Sequence, residues 1–505
     1  MVKSLLLILI AFNIILNAYW LLLGDIHYDI DVSRDFLVID DIIRNNHLTL
    51  LGPRSGAIPG VFHGPLWFYV NLPAFLFGGG NPLIVGWFWF LLSAIFLLVV
   101  FWVAKKLFGF EIGLLSALLL SVNSIVNPTI GLKNFYNPYG AVFLSPIFFF
   151  SFYKYIITYK FKYLIYSLFI LGLIIQFQMA FGVPIFFAIT PLIIYLLYKK
   201  KRIWHLLSYF ILLIPLSSFI IFDLKHNGLQ FKALIRYLNE TSEVINLLDI
   251  FKLRINEFTF NFFDFLSPGK NILTAFYAIN FLILFPYSLR KSNRQQKTAY
   301  FIFGYLFLGF WVITLFFPGG VGNYFWPLLP LTIIIFCSFY NFIKKEIFIL
   351  FFLILYLVNF YEGILAILEF KTDVNQRGPH SWAFNLQVAK KIYDDAKDDF
   401  GYFNFSPDRF AYQQRYAMIY TKKFFPNIYS FSSIKKPLTY LVEVDPPKDR
   451  SYLNGTNWRI ADVKIDREPD QVFRLDFIKI EKYWLSDDEI KKPSNPYLQD
   501  SLFLQ

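Results

Sequence analysis

HYDIDVSRD, residues 27–35, stands just beyond the first long apolar run of this chain and gathers Asp29, Asp31, Arg34 and Asp35. The run before it, residues 3–23, has about the 20 apolar residues that a helix needs to cross a bilayer. It is too long for a secretory leader and no small-residue cleavage site follows Leu23, so it reads as a membrane helix. Carboxylates directly outside such a helix, followed by the aromatic, proline-containing HGPLWFY from His63, put ionisable chemistry at a membrane face.

From Asp31 onward, DVSRDFLVIDDIIRN spaces Val32, Phe36, Ile39 and Ile43 as one face of a helix. The pattern predicts an amphipathic helix lying along the membrane surface. Asp31, Arg34 and Asp35 then share the opposite face, where the i, i+3 and i+4 spacings bring a guanidinium against two carboxylates. Two readings stay open on these residues alone. Asp29 and Asp31 cap the helix and complement its dipole, with Arg34 as a surface partner; or the cluster does chemistry. The flank RSGAIPGVFHGPLWFYVNLP, with its histidine, glycines and prolines in an aromatic segment, favours the second.

The whole chain agrees with a membrane setting. Its 505 residues are 56% hydrophobic, 21% aromatic and 16% charged, and the mean hydropathy is +0.50, which excludes an ordinary soluble protein. A net charge of +12 invites a nucleic-acid reading, but Lys and Arg fall in short clusters between apolar spans. The single cysteine, Cys337, lies inside an apolar span and reads as a small buried hydrophobe, without a disulfide partner in the chain.

Eleven spans are expected, near residues 3–23, 83–104, 111–128, 139–155, 163–181, 182–198, 203–222, 271–289, 298–317, 326–343 and 346–367. Lys105 and Lys106, Lys154 with Lys160 and Lys162, Lys199 to Arg202, Arg290 to Lys297, and Lys344 with Lys345 all fall on alternate loops. The positive-inside rule makes that side cytoplasmic, with the N-terminus. The other side holds the first loop (24–82), a loop at 223–270, shorter turns, and the tail. The expected protein is therefore an α-helical polytopic protein of the plasma (inner) membrane. A transmembrane part, 1–368, precedes a small extracytoplasmic α/β domain, 369–505. In the tail, WAFNLQVAKKIYDDAKD (382–398) reads as an amphipathic helix, while RYAMIYT, LTYLVEV and WRIADVKI alternate like strands.

An outer loop with D-x-x-R-D after the first span, then G-P-L-W-F-Y, then paired helices, resembles the membrane-integral glycosyltransferases of the GT-C fold. The chain is similar to bacterial members of the protein O-mannosyltransferase and aminoarabinose (lipid A) transferase superfamily. In that pattern an acidic pair precedes an Arg; here Asp31, Val32, Ser33, Arg34 and Asp35 stand there, with Val32 at the second acidic position. A Lys-Pro-Pro type motif has its counterpart in His63, Gly64 and Pro65. The resemblance implies inverting transfer of a hexose or pentose from a polyprenyl-phosphate donor. The acceptor would be a protein, lipid or cell-envelope glycan at the outer face. Asp31 becomes the general base, Asp29 its competitor, and Arg34 an orienting or phosphate-facing group with Asp35 beside it.

A phosphate leaving group calls for cations and donors near the membrane plane. His63, Lys133 and Asn137 in GLKNFYNP, and Lys225 and His226 in FDLKHN, are the candidates, the last two preferred. Each has an ordinary alternative as a snorkelling lysine, an Asn-Pro turn or an interface histidine. Gln176 and Gln178 in IIQFQMAFGVP read first as interhelical glue, and otherwise as lining for the sugar. Tyr324 in GNYFWPLLP resembles a donor-facing position of the superfamily. Some relatives bind a divalent metal; its carboxylate ligand has its counterpart at Phe62, so no metal is required by the sequence, and Asp29, Asp31 and His226 would be a different set. The rival reading is a transporter or flippase of lipid-linked sugars, which places ionisable residues near mid-membrane. The spans here carry almost none, which favours an enzyme.

Overall fold

A computed structural model describes residues 2–55, 58–123, 135–242, 247–258, 263, 271–317, 320–408 and 410–499. Lys133 and the end of the expected 111–128 span lie outside these residues. The chain forms two compact units. The first contains Met1–Tyr19, Leu48–Val70 and Trp89–Ile367; the second contains Trp20–His47, Asn71–Phe88 and Leu368–Gln505.

The first unit is helical. Seven helices of the described residues are long and apolar enough to cross a membrane: Pro82–Phe108, Pro138–Thr158, Met179–Lys199, Ile272–Lys291, Arg294–Thr314, Tyr324–Asn341 and Lys345–Leu368. An eighth span exists if Ile203–Leu213 and Ser217–Lys225, bent by 64°, count as one. The other three expected spans appear as shorter apolar helices, Lys3–Asn17, Phe110–Val122 and Phe161–Phe177. Every expected apolar run is thus helical where it is described, and among the described residues fewer helices than eleven reach full length.

The breaks have local causes. Gln178 leaves helical geometry at φ −145° and ψ 86°, so one apolar stretch becomes two helices that meet there. Pro215, which has no N–H to donate, lies in the 64° bend. Arg294–Thr314 begins ahead of its expected start because Asn293 and Gln296 form a capping box. Leu66–Phe77 is a further apolar helix in what the sequence suggested was loop; Pro65 opens it, at a position that needs no intrahelical donor. Buried amides tie the spans together without a hydrophobic driving force. Asn13 Nδ2 donates to Ser121 Oγ at 2.8 Å, Asn123 Nδ2 to Asn359 Oδ1 at 2.9 Å, and the Tyr356 hydroxyl to Asn13 Oδ1 at 3.3 Å.

The second unit carries a five-stranded mixed sheet. Its strands are β1 (Phe400–Phe405), β2 (Ser430–Ser432), β3 (Leu438–Val444), β4 (Gln471–Leu475) and β5 (Ile478–Trp484). They lie in the order β2-β1-β3-β5-β4, with β1 parallel to β2 and β3, and β5 antiparallel to β3 and β4. Phe403, Leu441, Trp458, Val463, Ile465, Tyr483 and Leu485 form a core on it. The helix Trp382–Ala396 is present, capped by Ser381 Oγ, which accepts from Phe384 N.

LTYLVEV is β3, as expected, but two other alternating runs are not strands. RYAMIYT belongs to the helix Tyr412–Thr421, in which Tyr416, Ala417 and Tyr420 bury at helical spacing. WRIADVKI opens in Gly455–Trp458 and continues as a turn of π-helix, Arg459–Val463. A short apolar run fits either period, and burial on the neighbouring element decides.

Candidate functional site

The acidic cluster is built on the helix Ile30–Arg44 of the second unit. Asp29 is its N-cap: Oδ1 accepts from Val32 N at 3.0 Å, and the Asp29 carbonyl accepts from Ser33 Oγ at 2.6 Å. Capping therefore accounts for Asp29 locally. The apolar face is covered by protein rather than lipid, which corrects the expected surface-lying helix. Val32, Phe36 and Ile39 are buried, and Phe36 lies 5.5 Å from Tyr416 and 5.9 Å from Phe75 between ring centres. Tyr412–Thr421 supplies an apolar partner that could not be seen from residues 31–45 alone. Ile43, placed on the apolar face by periodicity, is exposed, and Ile42 is buried instead.

Arg34 bridges the remaining carboxylates. Its Nη1 donates to Asp31 Oδ1 at 2.6 Å, while Nη2 and Nε donate to Asp35 Oδ1 at 2.7 and 3.1 Å. The side chains of Asp31, Arg34 and Asp35 are 35%, 18% and 5% exposed. Asp31 is thus the reachable carboxylate, anchored through one oxygen. Asp29 is only 6% exposed, and burial, with the Asp31 and Asp35 charges adding, pushes its carboxyl up to about 7 against the Val32 N–H and Arg34. A carboxyl that titrates near neutrality thus sits two residues from one that solvent reaches.

Sequence reasoning missed Asp25, which is fully buried. It accepts from Ile26 N at 2.8 Å, Ala383 N at 3.0 Å, Ser381 Oγ at 2.5 Å and Arg377 Nη1 at 3.1 Å. These bonds fasten residues 25–26 to the start of Trp382–Ala396. No local pattern around Gly24 and Asp25 announces partners so far along the chain.

The first unit assembles its polar candidates around the Gln178 break. Gly64 N donates to the Gln176 carbonyl at 2.9 Å, and a Cβ on Gly64 would stand 1.9 Å from Gln176 Oε1. Gly52 is held as tightly, since its Cβ would meet the Gly64 carbonyl oxygen at 2.1 Å. His63, half-buried, is carried on this hairpin by a backbone bond from its N to the Pro53 carbonyl, 2.8 Å. Gln176 Nε2 donates to Pro215 O at 2.5 Å and to Ser218 Oγ at 2.9 Å. Asn137 Nδ2 donates to Phe177 O at 2.7 Å. Gln176 and Asn137 are therefore helix-break stitching, the glue reading. Gln178 is 1% exposed, and its Oε1 has no hydrogen-bond partner among the described residues.

The loop after Ser217–Lys225 joins the same hairpin. Phe62 N donates to Gln230 Oε1 at 2.9 Å, and Leu51, Phe62 and Phe222 form one apolar cluster. His226 stacks on Phe222 with ring centres 4.1 Å apart. Its Nδ1 lies 2.9 Å from the Phe222 carbonyl, a contact that puts the proton on Nδ1. Asp223 caps the next helix, Leu229–Ser242, accepting from Gln230 N and Phe231 N at 2.8 and 3.2 Å. Lys225 is exposed in the last helical turn.

Tyr324 is half-buried in the 3-10 turn Gly322–Leu328. The chain just before it is held by a buried ion pair that the sequence reading overlooked. Arg254, 0% exposed, donates through Nη1 to Glu257 Oε2 at 2.5 Å, through Nε to Thr314 O at 3.1 Å and through Nη2 to Phe317 O at 2.6 Å. Glu257 Oε1 accepts from Val321 N at 2.9 Å. The i, i+3 charges of KLRINEF, between apolar neighbours, were the available signal.

Among the described residues no three His, Cys, Asp or Glu side chains group as a metal site, so the Asp29, Asp31 and His226 set finds no support.

No family model matches this sequence, and no curated protein does. Among solved structures, the fold matches ArnT from Cupriavidus metallidurans bound to undecaprenyl phosphate, with a TM-score of 0.62 and 9% identity, over 98% of this chain and 100% of that one. The apo form of the same ArnT matches with a TM-score of 0.58 and 9% identity, over 95% of this chain and 98% of that one. At this identity the likeness speaks for the fold, and the fold is the GT-C type.

Proposed function

We propose that this chain transfers a sugar from a polyprenyl-phosphate donor to an acceptor hydroxyl or amine, with inversion at the anomeric carbon. The observation that carries the reading is the Arg34 bridge, which holds a solvent-reachable Asp31 beside a buried Asp29 on a chain of ArnT-like fold. Undecaprenyl phosphate bound to that ArnT supports a lipid phosphate as the partner here.

In this reading the acceptor oxygen or nitrogen attacks the anomeric carbon as Asp31 takes its proton, and the carbon–oxygen bond to phosphate breaks with its electron pair going to the phosphate. Arg34 orients Asp31 and is not itself consumed, since a guanidinium keeps its proton. Lys225, His226, His63 and Lys133 are the proposed phosphate contacts, with Tyr324 facing the donor. Asn137 is less suited, because its Nδ2 is already engaged by the Phe177 carbonyl through one of its two N–H groups. Gln178, with an open carbonyl oxygen, is the better of the two amides for a sugar hydroxyl. The same reading takes the eleven expected apolar runs as spans of the inner membrane, the N-terminus as cytoplasmic and the tail, 369–505, as extracytoplasmic.

The transporter alternative draws on the helix breaks at Gln178 and Pro215, a feature of discontinuous transporter helices. Turnover of a radiolabelled polyprenyl-phosphate sugar by purified protein separates the two. The wild type is expected to release the sugar from its lipid and Asp31→Asn to lose at least about 100-fold in rate. Full activity in Asp31→Asn removes Asp31 as base. Movement of intact donor across vesicles, without cleavage, establishes the transporter.

A further inference from the structure

A groove of about 520 Å³ opens between the end of Pro138–Thr158 and the start of Arg294–Thr314, lined by Ile156, Arg294, Lys297, Thr298 and Phe301. We propose that it is a binding site for the phosphate of an anionic phospholipid, separate from the residues assigned to transfer.

The lining brings two cations and no carboxylate. Arg294 and Lys297 both project from the opening turns of one helix, where the first backbone N–H groups have no intrahelical acceptor. Asn293 Oδ1 takes only the Gln296 N–H, at 2.9 Å, so the positive end of the helix adds to the side-chain charges. The Thr298 hydroxyl donates to the Arg294 carbonyl at 3.0 Å. The side-chain donors left for an anion are therefore the guanidinium and the ammonium, a fork that fits phosphate oxygens beside a point charge.

The surroundings select a lipid over a soluble anion. Phe301, 52% exposed, and Ile156 extend the groove along the two apolar helices, a surface that a free phosphate would not use and an acyl chain would. Pro138–Thr158 ends at Tyr159, in the left-handed region at φ 52°, and the Tyr159 carbonyl accepts from Arg202 Nη1 at 2.5 Å. A second guanidinium thus stands at the end of the helix that contributes Ile156. Lys160 and Lys162 stand at the turn into the next helix, Phe161–Phe177. Basic pockets between spans, at the level where such loops meet headgroups, attract anionic lipid.

The test is independent of sugar transfer. Full-length protein, stripped of lipid in detergent, is titrated with phosphatidylglycerol, phosphatidylcholine or inorganic phosphate and the bound species are counted by native mass spectrometry. The expected result is one tightest phosphatidylglycerol, weakened about tenfold by Arg294→Gln with Lys297→Gln and unchanged by Arg290→Gln with Lys291→Gln. An unchanged unfolding temperature in lipid-free detergent shows that the groove variant is folded. Equal binding of phosphatidylcholine, equal binding of inorganic phosphate, or no loss in the folded groove variant overturns the proposal.

Discussion

Asp29→Asn separates a capping side chain from a titrating one. The Asp29 carboxyl is raised from its ordinary 3.8 to about 7, chiefly by burial. Its folded value lies above its unfolded value, so the folded state holds the proton more tightly. The stability contributed by the protonated form is complete below about pH 4, declines as pH rises, and is gone above about pH 7. At roughly 1.4 kcal/mol for each pH unit of displacement, the whole loss is roughly 4 kcal/mol, and about 2 kcal/mol of it falls between about pH 5.5 and pH 8.5. With Asp29 only 6% exposed, solvent screening removes little of this. Asparagine keeps an Oδ1 for the Val32 N–H and caps as well as aspartate, but cannot ionise. The variant is therefore expected to be more stable than wild type at about pH 8.5, and its advantage to shrink by about 2 kcal/mol on going to about pH 5.5. Unfolding midpoints of full-length protein in detergent, compared across that range, check it. Parallel curves for the two proteins over the whole range refute the buried, titrating Asp29.

Gly64→Ala pushes a methyl to 1.9 Å from Gln176 Oε1 at a backbone bond that stitches the Gln178 break; a loss of about 1–3 kcal/mol is expected, whereas Ala at Gly24, with nothing within 4 Å but φ +74°, costs only the roughly 1 kcal/mol of left-handed backbone. Thermal unfolding of the two variants side by side tests the ranking. Arg254→Met strands Glu257 in a buried site and is expected to cost about 3–5 kcal/mol. Arg254→Met with Glu257→Leu recovers most of that loss if the penalty is the unpaired charge, and denaturant midpoints of the single and double variants decide it.

The helical membrane part was legible because apolar length is a strong signal: each of the eleven runs is a helix somewhere along its length. Length itself was not legible. Asn137, Gln176 and Gly64 are polar or small residues whose partners lie dozens of positions away, and those partners let an apolar run stop at Gln178 without orphaned carbonyls. The tail shows the same limit from the other side. LTYLVEV has β-branched residues and a central place in the sheet, so local and tertiary preferences agree, whereas RYAMIYT is apolar enough for either structure and becomes helix where Tyr416 meets Phe36. The turn between β4 and β5 passes unnoticed in LDFI because Asp476 takes the left-handed conformation, φ 41°, that a glycine would have advertised. In the acidic cluster, spacing was enough to join Arg34 to Asp31 and Asp35. Spacing could not tell Asp29 from Asp31, because the difference between them is burial.

That difference bears on how an anionic donor could be received beside an acidic cluster. Three carboxylates and one guanidinium, all ionised, would leave Asp29, Asp31, Arg34 and Asp35 with two net negative charges, and these would repel a phosphate-bearing lipid. Arg34 already divides its donors between Asp31 and Asp35, so it has little left with which to neutralise a third carboxylate. Burial does what the guanidinium cannot: it pushes the Asp29 carboxyl up to about 7, which disfavours a third negative charge in the cluster. Under the proposed transfer the base is the solvent-reachable Asp31, where an acceptor could deliver its proton, and the carboxyl whose charge burial disfavours is the enclosed Asp29. On that proposal two carboxylates of one helix start would have different tasks set by their environments, as acid and base pairs in active sites commonly have.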